Sequence, residues 1–425
     1  MLLKARLPCI IPPVNESKPL PLAGVRVIDF TWVVAGPQAT RILAALGAEV
    51  IRVENEAHPD SIRVGFRLEP GSVNSSGIFN NLSAGKRSMT ANLYNPEGME
   101  VIERLVRVSD VIIENFSARV FERWGLTWER LRALNPRIVY ISLSGFGHLG
   151  RDAEYVTWGP TAAALSGVTY MSGLPDNEAA GWGFSYLDHY AGYLGAVAAL
   201  MALHHREETG EGQYVDMSQV ETGMTLCGVP LLDYQVNGRE YERIGNHSRW
   251  PAVAPHAAYR CKDGIIEGED RWLAIAAETE EQWRALCDVL GASQLAADAR
   301  FSSLARRVEH EEALDTALTE HTRRFDAREL MYLLQAKGVP AGACQTYRDK
   351  LELDPQLAGR GFFPEADHPE LGRHRFEGMP LRFSDARWQI DSGAPCLGAD
   401  TLNVLTRLLG YSDEEADRLV AEAAV

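Results

Sequence analysis

Cysteine is scarce in this sequence, and the few cysteines lie far apart. The 425 residues contain six, with no Cys-x-x-Cys pair and no histidine at zinc-site spacing. This scatter argues against a disulfide framework and against the usual structural zinc sites. We therefore expect free thiols in a reducing cytoplasm. The six are Cys9, Cys227, Cys261, Cys287, Cys344 and Cys396.

Positive charge is also in short supply. Lysine and arginine number 42 against 58 aspartates and glutamates, which gives a net charge of −16. Such a chain is unsuited to a broad nucleic-acid-binding face or to an anionic membrane surface. An anionic ligand would need a few lysines and arginines gathered at one site.

No hydrophobic run is long enough to cross a bilayer, which takes about 20 residues. The longest apolar helical stretch, 191–203, is interrupted by glycines, and the apolar start at 7–14 is broken by prolines. We expect neither a membrane span nor a signal peptide, and we expect the protein to be soluble and cytoplasmic.

Several catalytic motifs are missing as well. The sequence has no P-loop, no His-Glu-x-x-His, no Gly-x-Ser-x-Gly and no cluster that suggests a catalytic metal. Gly145-x-Gly147-x-x-Gly150 matches the dinucleotide fingerprint only formally. It follows the fourth predicted strand, and no obvious amphipathic helix comes after it. We interpret it as a glycine loop.

What the chain does have is a regular alternation of strands and helices. Repeated β-α-β units with short connections predict an α/β fold with a parallel, Rossmann-like sheet, followed by a smaller α+β region. Predicted strands are 25–30, 49–53, 110–113 and 137–142, and predicted helices between them are 37–46, 96–108 and 127–134. Later in the chain, helices are predicted at 280–290, 311–322 and 400–409.

The same pattern suggests a division into domains. We expect an N-terminal extension at 1–20, a large Rossmann-like domain at 21–235, a linker at 236–256 and a small α+β domain at 257–340. Residues 341–425 would form a second linker and a C-terminal segment that returns to the large domain.

One carboxylate, Asp188, lies where a strand-like stretch turns into a helix rich in small residues. Free N–H groups and the helix dipole at such a position favour its anionic form. A carboxylate held ionised beside an apolar helix suits nucleophilic catalysis. From the local sequence alone, the alternative that Asp188 is a simple helix cap is the stronger one, since aspartate is a common N-cap.

Asn115 and Phe116 follow the predicted strand at 110–114, at the edge where α/β sheets bind ligands. Arg123 comes eight residues after Asn115, and Lys86 lies in a glycine-rich turn. Each cation alone is typical of a solvated surface, whereas together they suit the phosphates of a cofactor.

Short motifs occur along the chain in a fixed order. They are 21–30 (PLAGVRVIDF), 35–37 (AGP), 46–54 (LGAEVIRVE), 85–88 (GKRS), 110–116 (DVIIENF), 134–137 (LNPR), 144–147 (SGFG), 183–196, 209–216 (TGEGQYVD), 338–341 (GVPA), 360–363 (RGFF) and 395–398 (PCLG). In this order they resemble the family III CoA-transferases, such as formyl-CoA, carnitine and benzylsuccinate CoA-transferases. That superfamily also contains the α-methylacyl-CoA racemases. The resemblance extends over nearly the whole chain from about residue 20.

The resemblance implies a large Rossmann-like domain, a smaller domain and two subunits interlocked as a dimer. It implies that Asp188 is the nucleophile and that five other residues contact CoA or line the site. These five are Val34, Lys86, Asn115, Phe116 and Arg123. CoA and its acyl esters would be substrates, with no permanently bound cofactor and no metal.

In the scheme that the resemblance implies, Asp188 attacks the donor thioester and CoA thiolate leaves a mixed anhydride. The thiolate then converts the anhydride into an aspartyl-CoA thioester, which the acceptor acid converts into product. We expect succinyl-CoA to be the donor.

Two departures from the family pattern bear on the acceptor. Several transferases carry a glutamine where this chain has Val34, and a glycine-rich loop in place of 245–251. Val34, with Trp32, Trp158 and Trp182, indicates an apolar acid pocket. Such a pocket disfavours a formyl or oxalyl substrate and favours a branched or aryl-substituted acid, such as a substituted succinate.

Three alternatives stay open at this point. Asn246, His247 and Arg249 either meet an acceptor carboxylate or belong to the linker. The racemases carry a histidine where this chain has Trp158, and 151–170 contains no histidine, which disfavours a two-base racemase. We expect a homodimer, but some family members work as two different chains, so the protein is alternatively one subunit of a hetero-oligomer.

Overall fold

The computed structural model describes residues 18–66, 71–264 and 268–425. The N-terminal extension expected at 1–20 lies almost wholly outside this part of the chain, as does Cys9. The five cysteines within it form no disulfide. No helix within it is long and apolar enough to cross a bilayer.

The chain forms two compact units. The first comprises the described residues up to Thr169 together with Gly181–Glu240 and Gln356–Val425. The second comprises Tyr170–Ala180 and Tyr241–Pro355.

The first unit is built on a six-stranded sheet. Its strands are β1 (Arg26–Asp29), β2 (Glu49–Glu54), β3 (Arg87–Thr90), β4 (Val111–Glu114), β5 (Val139–Ser144) and β6 (Tyr214–Ser218). They pair in the order β3-β2-β1-β4-β5-β6, each parallel to its neighbours. This confirms the predicted Rossmann-like fold. The strand order reverses between β1 and β4, and ligands of such sheets bind at the carboxyl ends of the strands near that point.

Helices precede, connect and follow these strands, and several of them pack on the two faces of the sheet. In chain order up to residue 237 they are α1 (Ala35–Ala45), α2 (Ser61–Gly65), α3 (Gly77–Ser83), α4 (Pro96–Arg107), α5 (Val120–Arg123), α6 (Trp128–Leu134), α7 (Gly159–Leu165), α8 (Val168–Met171), α9 (Tyr186–Thr209), α10 (Gln219–Met224) and α11 (Gly228–Asn237). A short 3₁₀ turn at Thr225–Cys227 joins the last two.

Successive residues of the central strands point into two different hydrophobic cores. Ile28 and Ile112 pack with α4 and α6 on one face. Val27 and Ile113 pack with α1 and α9 on the other. Because side chains alternate along a strand, a strand that is apolar at every position is covered on both faces.

Helix α9 packs closely along α1, which fixes its position over the sheet. The approach requires a residue without a side chain, because a β-carbon built on Gly192 would lie 2.6 Å from the carbonyl oxygen of Ala35. The small residues of α9 therefore seat it against α1, with its N-terminal turn near the carboxyl edge of the sheet.

The second unit has an α+β architecture. Its strands are β7 (Ser248–Arg249), β8 (Ala252–Val253), β9 (His256–Arg260), β10 (Trp272–Ala276) and β11 (Ala341–Ala343), and its helices are α12 (Glu280–Leu290), α13 (Ser293–Ala297), α14 (Leu304–Glu309), α15 (Glu311–Thr322) and α16 (Ala327–Gln335). Strands β9 and β11 flank β10, both antiparallel to it. Tyr259, Leu273 and Leu330 lie at the centre of its core.

The C-terminal part of the chain is more structured than the sequence predicts. It contains α17 (Pro355–Arg360), β12 (Glu365–His368), β13 (Gly372–Arg375), α18 (Thr401–Asn403), a π-helical turn at Val404–Leu408 and α19 (Asp413–Ala421). The helix predicted at 400–409 is thus a short α-helix that widens into a π turn. Leu419 of the unpredicted α19 is buried in the core that contains Ile28.

Candidate active site

A cavity of about 270 Å³ opens at the carboxyl edge of the sheet in the first unit. The loops after β1 and β4 line one part of it, and the loop after β5, the start of α7 and the start of α10 line the rest. Four residues expected from the sequence to form the site lie together here. They are Val34, Asn115, Phe116 and Asp188.

Asn115 joins the loop after β4 to the loop after β1, at the point where the strand order reverses. Its Nδ2 donates a hydrogen bond to the carbonyl oxygen of Trp32 at 2.8 Å, and its Oδ1 accepts one from the Trp32 N–H at 2.7 Å. The amide therefore holds the cavity wall together. Its polar atoms bond protein backbone, and the contact with CoA that the resemblance implies stays a prediction.

Phe116 belongs to an aromatic cluster at the side of the cavity. Its ring lies 5.7 Å from that of Trp32 and 5.3 Å from that of Trp124, both edge to face. Val34 precedes α1 and is 2% exposed. With Trp158, these side chains make much of the lining apolar, as predicted. Trp182 is different, because it lines a separate hollow on the other side of Gly159.

Asp188 lies in the first turn of α9 and is 7% exposed. Ser185 is the N-cap residue of the helix, so Asp188 is not a simple cap. The turn that delivers it is strained, since Phe184 and Ser185 have φ angles of +29° and +50°. Gln219, the first residue of α10, donates a hydrogen bond from Nε2 to Asp188 Oδ1.

Burial controls the charge state of Asp188. It raises the pKa of the carboxyl above its usual value, and hydrogen bonds from Gln219 and Ser185 only partly oppose this. From the sequence we expected the helix N-terminus to favour the anionic form of Asp188. In the structure, the loss of water around the carboxyl raises its pKa more than the hydrogen bonds lower it. The site therefore holds a carboxylate that is poorly solvated.

Gly159 allows the Asp188 carboxylate to sit against the backbone of α7. A β-carbon built on Gly159 would overlap Oδ2 and lie 2.7 Å from Cγ. Real β-carbons do not approach other atoms that closely, so any other residue here would displace the carboxylate. The need for glycine at this position was not apparent from the sequence.

Lys86 does not line the cavity. Its ammonium is buried beneath α1 and donates hydrogen bonds to Asp29 Oδ2 at 2.9 Å, Thr40 Oγ1 at 2.7 Å and the Pro37 carbonyl oxygen at 3.2 Å. Burial lowers the pKa of Lys86 to about 8, and Asp29 opposes that change. With its three donors occupied, Lys86 acts here as a structural cation, and its contact with CoA stays a prediction.

Arg123 ends α5 and is exposed. It does not line the cavity, and no ion pair joins it to another described residue. Its role in binding CoA also stays a prediction.

A buried carboxyl group beneath the cavity was missed by the sequence analysis. Glu114, the last residue of β4, is 1% exposed and accepts hydrogen bonds from the Phe116 N–H at 2.8 Å and the Tyr140 hydroxyl at 3.2 Å. Burial raises the pKa of Glu114 to about 7, against hydrogen bonds from Ser142, Phe116 and Tyr140. Glu114 thus anchors the backbone of Phe116 in the cavity wall.

The polar residues of the loop at 245–251 lie in the second unit. His247 lies between Glu311 at 3.5 Å and Asp315 at 3.7 Å, and Arg249 pairs with Glu242 at 3.3 Å. The carbonyl oxygen of Asn246 accepts a hydrogen bond from His256.

Comparison with known proteins assigns the chain to a family. A family model described as CoA-transferase family III matches residues 22–401. The chain belongs to this family. It is an enzyme, a CoA-transferase, as the sequence predicts.

Two relatives illustrate the similarity within CoA-transferase family III. The chain is 33% identical to the succinyl-CoA–D-citramalate CoA-transferase of Chloroflexus aurantiacus, over 97% of this chain and 100% of that protein. It is 30% identical to the beta subunit of the succinyl-CoA–L-malate CoA-transferase of the same bacterium, over 96% of this chain and 98% of that one.

A solved structure has the same fold as this chain. A CaiB/BaiF family protein from Brucella suis matches with a TM-score of 0.83 at 32% identity, and the match covers 92% of this chain and 100% of that one.

Among the residues described for the present chain, no group of three or more His, Cys, Asp and Glu side chains is placed to hold a metal ion.

Proposed function

We propose that this CoA-transferase moves CoA from succinyl-CoA to a second carboxylic acid through covalent intermediates on Asp188. The observation that carries the proposal is a buried carboxylate in the cavity at the carboxyl edge of the sheet. A carboxylate stripped of water is a stronger nucleophile than a hydrated one, and burial of Asp188 limits the access of water to a hydrolysis-prone anhydride.

The bonds made and broken balance at each step. Asp188 Oδ2 attacks the thioester carbonyl carbon, the C–S bond breaks, and CoA leaves as thiolate. The thiolate attacks Cγ of the resulting anhydride, and the donor acid leaves with the bridging oxygen. The acceptor carboxylate then attacks Cγ of the aspartyl thioester and expels CoA thiolate, which finally attacks the acceptor carbonyl and frees Asp188.

The character of the cavity bears on the acceptor. Trp32, Val34, Phe116 and Trp158 line it, and no lysine, arginine or histidine is among its lining residues. We propose a branched or aryl-substituted acid, such as a substituted succinate, whose apolar part contacts these side chains. D-citramalate and L-malate, in the names of two relatives, are dicarboxylates, so both classes belong in a substrate panel.

A racemase reaction has less support in this cavity. The sequence position of the racemase histidine is occupied by Trp158, which lines the cavity, and a two-base proton exchange lacks its second base there. Deuterium uptake at the α-carbon of a 2-methylacyl-CoA, measured without an acceptor acid, tests this choice. Rapid uptake would favour the racemase.

The proposed assembly is an interlocked homodimer working in the cytoplasm. Helix α11 has no buried residue, and its apolar side chains Val229, Leu232 and Val236 are 83%, 61% and 70% exposed. An apolar helix face of this kind favours contact with a second chain. Native mass spectrometry of the purified chain distinguishes the alternatives. An active homodimer would exclude an obligate hetero-oligomer like the one implied by the beta-subunit relative.

Replacement of the carboxylate tests the catalytic proposal. Asp188→Asn keeps the size of the side chain but removes the nucleophile, so CoA exchange between succinyl-CoA and labelled succinate should be abolished. Asp413→Asn, at an exposed position of α19, is the matched control and should retain full exchange. Exchange at the wild-type rate in Asp188→Asn would overturn the proposal.

A further inference from the structure

Gln219 is one of two polar side chains that hydrogen-bond the reacting carboxylate, and the other is Ser185 at the start of α9. It begins α10, immediately after β6, and is 7% exposed. Its Nε2 donates to Asp188 Oδ1, whereas Oδ2 is the oxygen that lies nearer to Gly159. The two carboxylate oxygens therefore have different surroundings.

The position of Gln219 is fixed by its own helix. The Ser218 hydroxyl caps α10 by accepting a hydrogen bond from the Glu221 N–H at 3.2 Å. Helix α10 packs against both α7 and α9, the helices that carry Gly159 and Asp188. The donor is thus held rigidly relative to the carboxylate before any substrate binds, which is the condition for strong electrostatic stabilisation.

Attack at Asp188 Cγ places negative charge on one defined atom. In the proposed reaction, CoA thiolate attacks Cγ of the anhydride and the acceptor carboxylate attacks Cγ of the thioester. In both tetrahedral intermediates the bridging group, an oxygen or a sulfur, leaves, so the oxyanion develops on the oxygen that stays. If Oδ2 forms the anhydride bridge, that oxygen is Oδ1.

We infer that Gln219 is a catalytic residue, whose amide N–H stabilises the oxyanion that forms on Asp188 Oδ1 and keeps the two carboxylate oxygens from exchanging places. This inference rests on the function proposed above. It assigns the hydrogen bond a role in both steps at Cγ, with no proton transferred to or from the amide. The bond strengthens as charge develops on Oδ1, so it stabilises the transition state more than the resting enzyme.

The first test removes the donor while preserving the length of the side chain. Gln219→Met should lower kcat about 100- to 1000-fold, the usual effect of losing one oxyanion donor, and change the KM for succinyl-CoA much less. Gln294→Met, at an exposed position of α13, is the matched control and should behave as the wild type. If Gln219→Met does not fold, Gln219→Glu replaces the N–H donor with an oxygen at the same length. A wild-type kcat in the folded variant would overturn the inference.

The second test follows individual oxygens. Each turnover with an acceptor carboxylate labelled in both oxygens with oxygen-18 replaces the bridging oxygen of Asp188. After many turnovers the wild-type peptide should contain one heavy oxygen, because Oδ1 is held, whereas the peptide from Gln219→Met should gain two. Two heavy oxygens in the wild type, or one in both proteins, would overturn the inference.

These results are distinguishable from a failure of the proposed function. Label that never enters Asp188 of the wild-type enzyme would refute the covalent mechanism itself, and with it the basis of the inference. Label in Asp188 combined with a wild-type kcat in Gln219→Met would refute the role of Gln219 alone.

Discussion

The buried Glu114 makes the stability of the first unit depend on pH near neutrality. Its pKa is about 7 in the folded protein against an ordinary value of 4.5, because burial disfavours the charged form. Between these values the folded state binds one proton more than the unfolded state, so stability falls as pH rises. At 1.36 kcal/mol per pKa unit, the free energy of unfolding should fall by about 3 kcal/mol over this interval.

Glu114→Gln isolates this effect. Glutamine resembles the protonated carboxyl in shape and hydrogen-bonding capacity but carries no charge at any pH. The fall in the free energy of unfolding that Glu114 causes should therefore be absent from the variant. Its stability relative to the wild type should rise by about 3 kcal/mol from pH 4.5 to pH 7. Denaturant unfolding measured by fluorescence across this range checks the result, with Glu312→Gln, at an exposed position, as the control. Parallel stability curves for Glu114→Gln and the wild type would refute the reasoning.

Three further predictions concern the cavity and its surroundings. Gly159→Ala displaces the carboxylate of Asp188 and should lower kcat about 100-fold, as small misplacements of reacting groups do, in steady-state assays. Lys86→Met leaves Asp29 buried without its cation and should destabilise the protein by about 3 kcal/mol in denaturant unfolding. Arg123→Ala should raise the KM for the CoA ester more than it lowers kcat if it contacts CoA, as measured by initial-rate kinetics.

Each of these predictions has a contrary result. A wild-type kcat in Gly159→Ala would show that the carboxylate does not need its close approach to α7. An unfolding midpoint unchanged in Lys86→Met, relative to the exposed control Lys337→Met, would mean that the buried ion pair adds nothing to stability. An unchanged KM in Arg123→Ala would remove that residue from the CoA site.

Much of the fold was predictable because local signals agree with the tertiary structure. The helices expected at 280–290 and 311–322 have those bounds in the structure. The first of them begins with a capping box at Thr279 and Gln282, and its apolar residues recur on one face. Strands β1, β2, β4 and β5 were recognisable because each contains buried aliphatic residues in a short run.

The elements that were missed have weaker local signals. Strand β3 at the sheet edge contains Arg87, Ser88 and Thr90, and only Met89 resembles a core residue. Helix α19 has a capping box from Ser412 to Glu415, a signal that was available in the sequence. Its apolar residues are few, because most of its surface faces solvent.

The site was predictable to the extent that its residues follow strand ends. Asn115 and Phe116 lie in the cavity because they come directly after β4. The ion pair of Lys86 was not foreseen because its partner Asp29 is 57 positions away in the sequence, and a buried ion pair of that kind has no local pattern. The bond from Gln219 to Asp188 spans 31 positions and was hidden for the same reason.

Mass mapping of the enzyme, quenched during turnover with succinyl-CoA, tests the covalent mechanism most directly. We expect the peptide containing Asp188 to carry a CoA thioester or an acyl group, and no other peptide to be modified. Turnover at full rate with Asp188 unmodified, or with the adduct on another residue, would contradict the central claim.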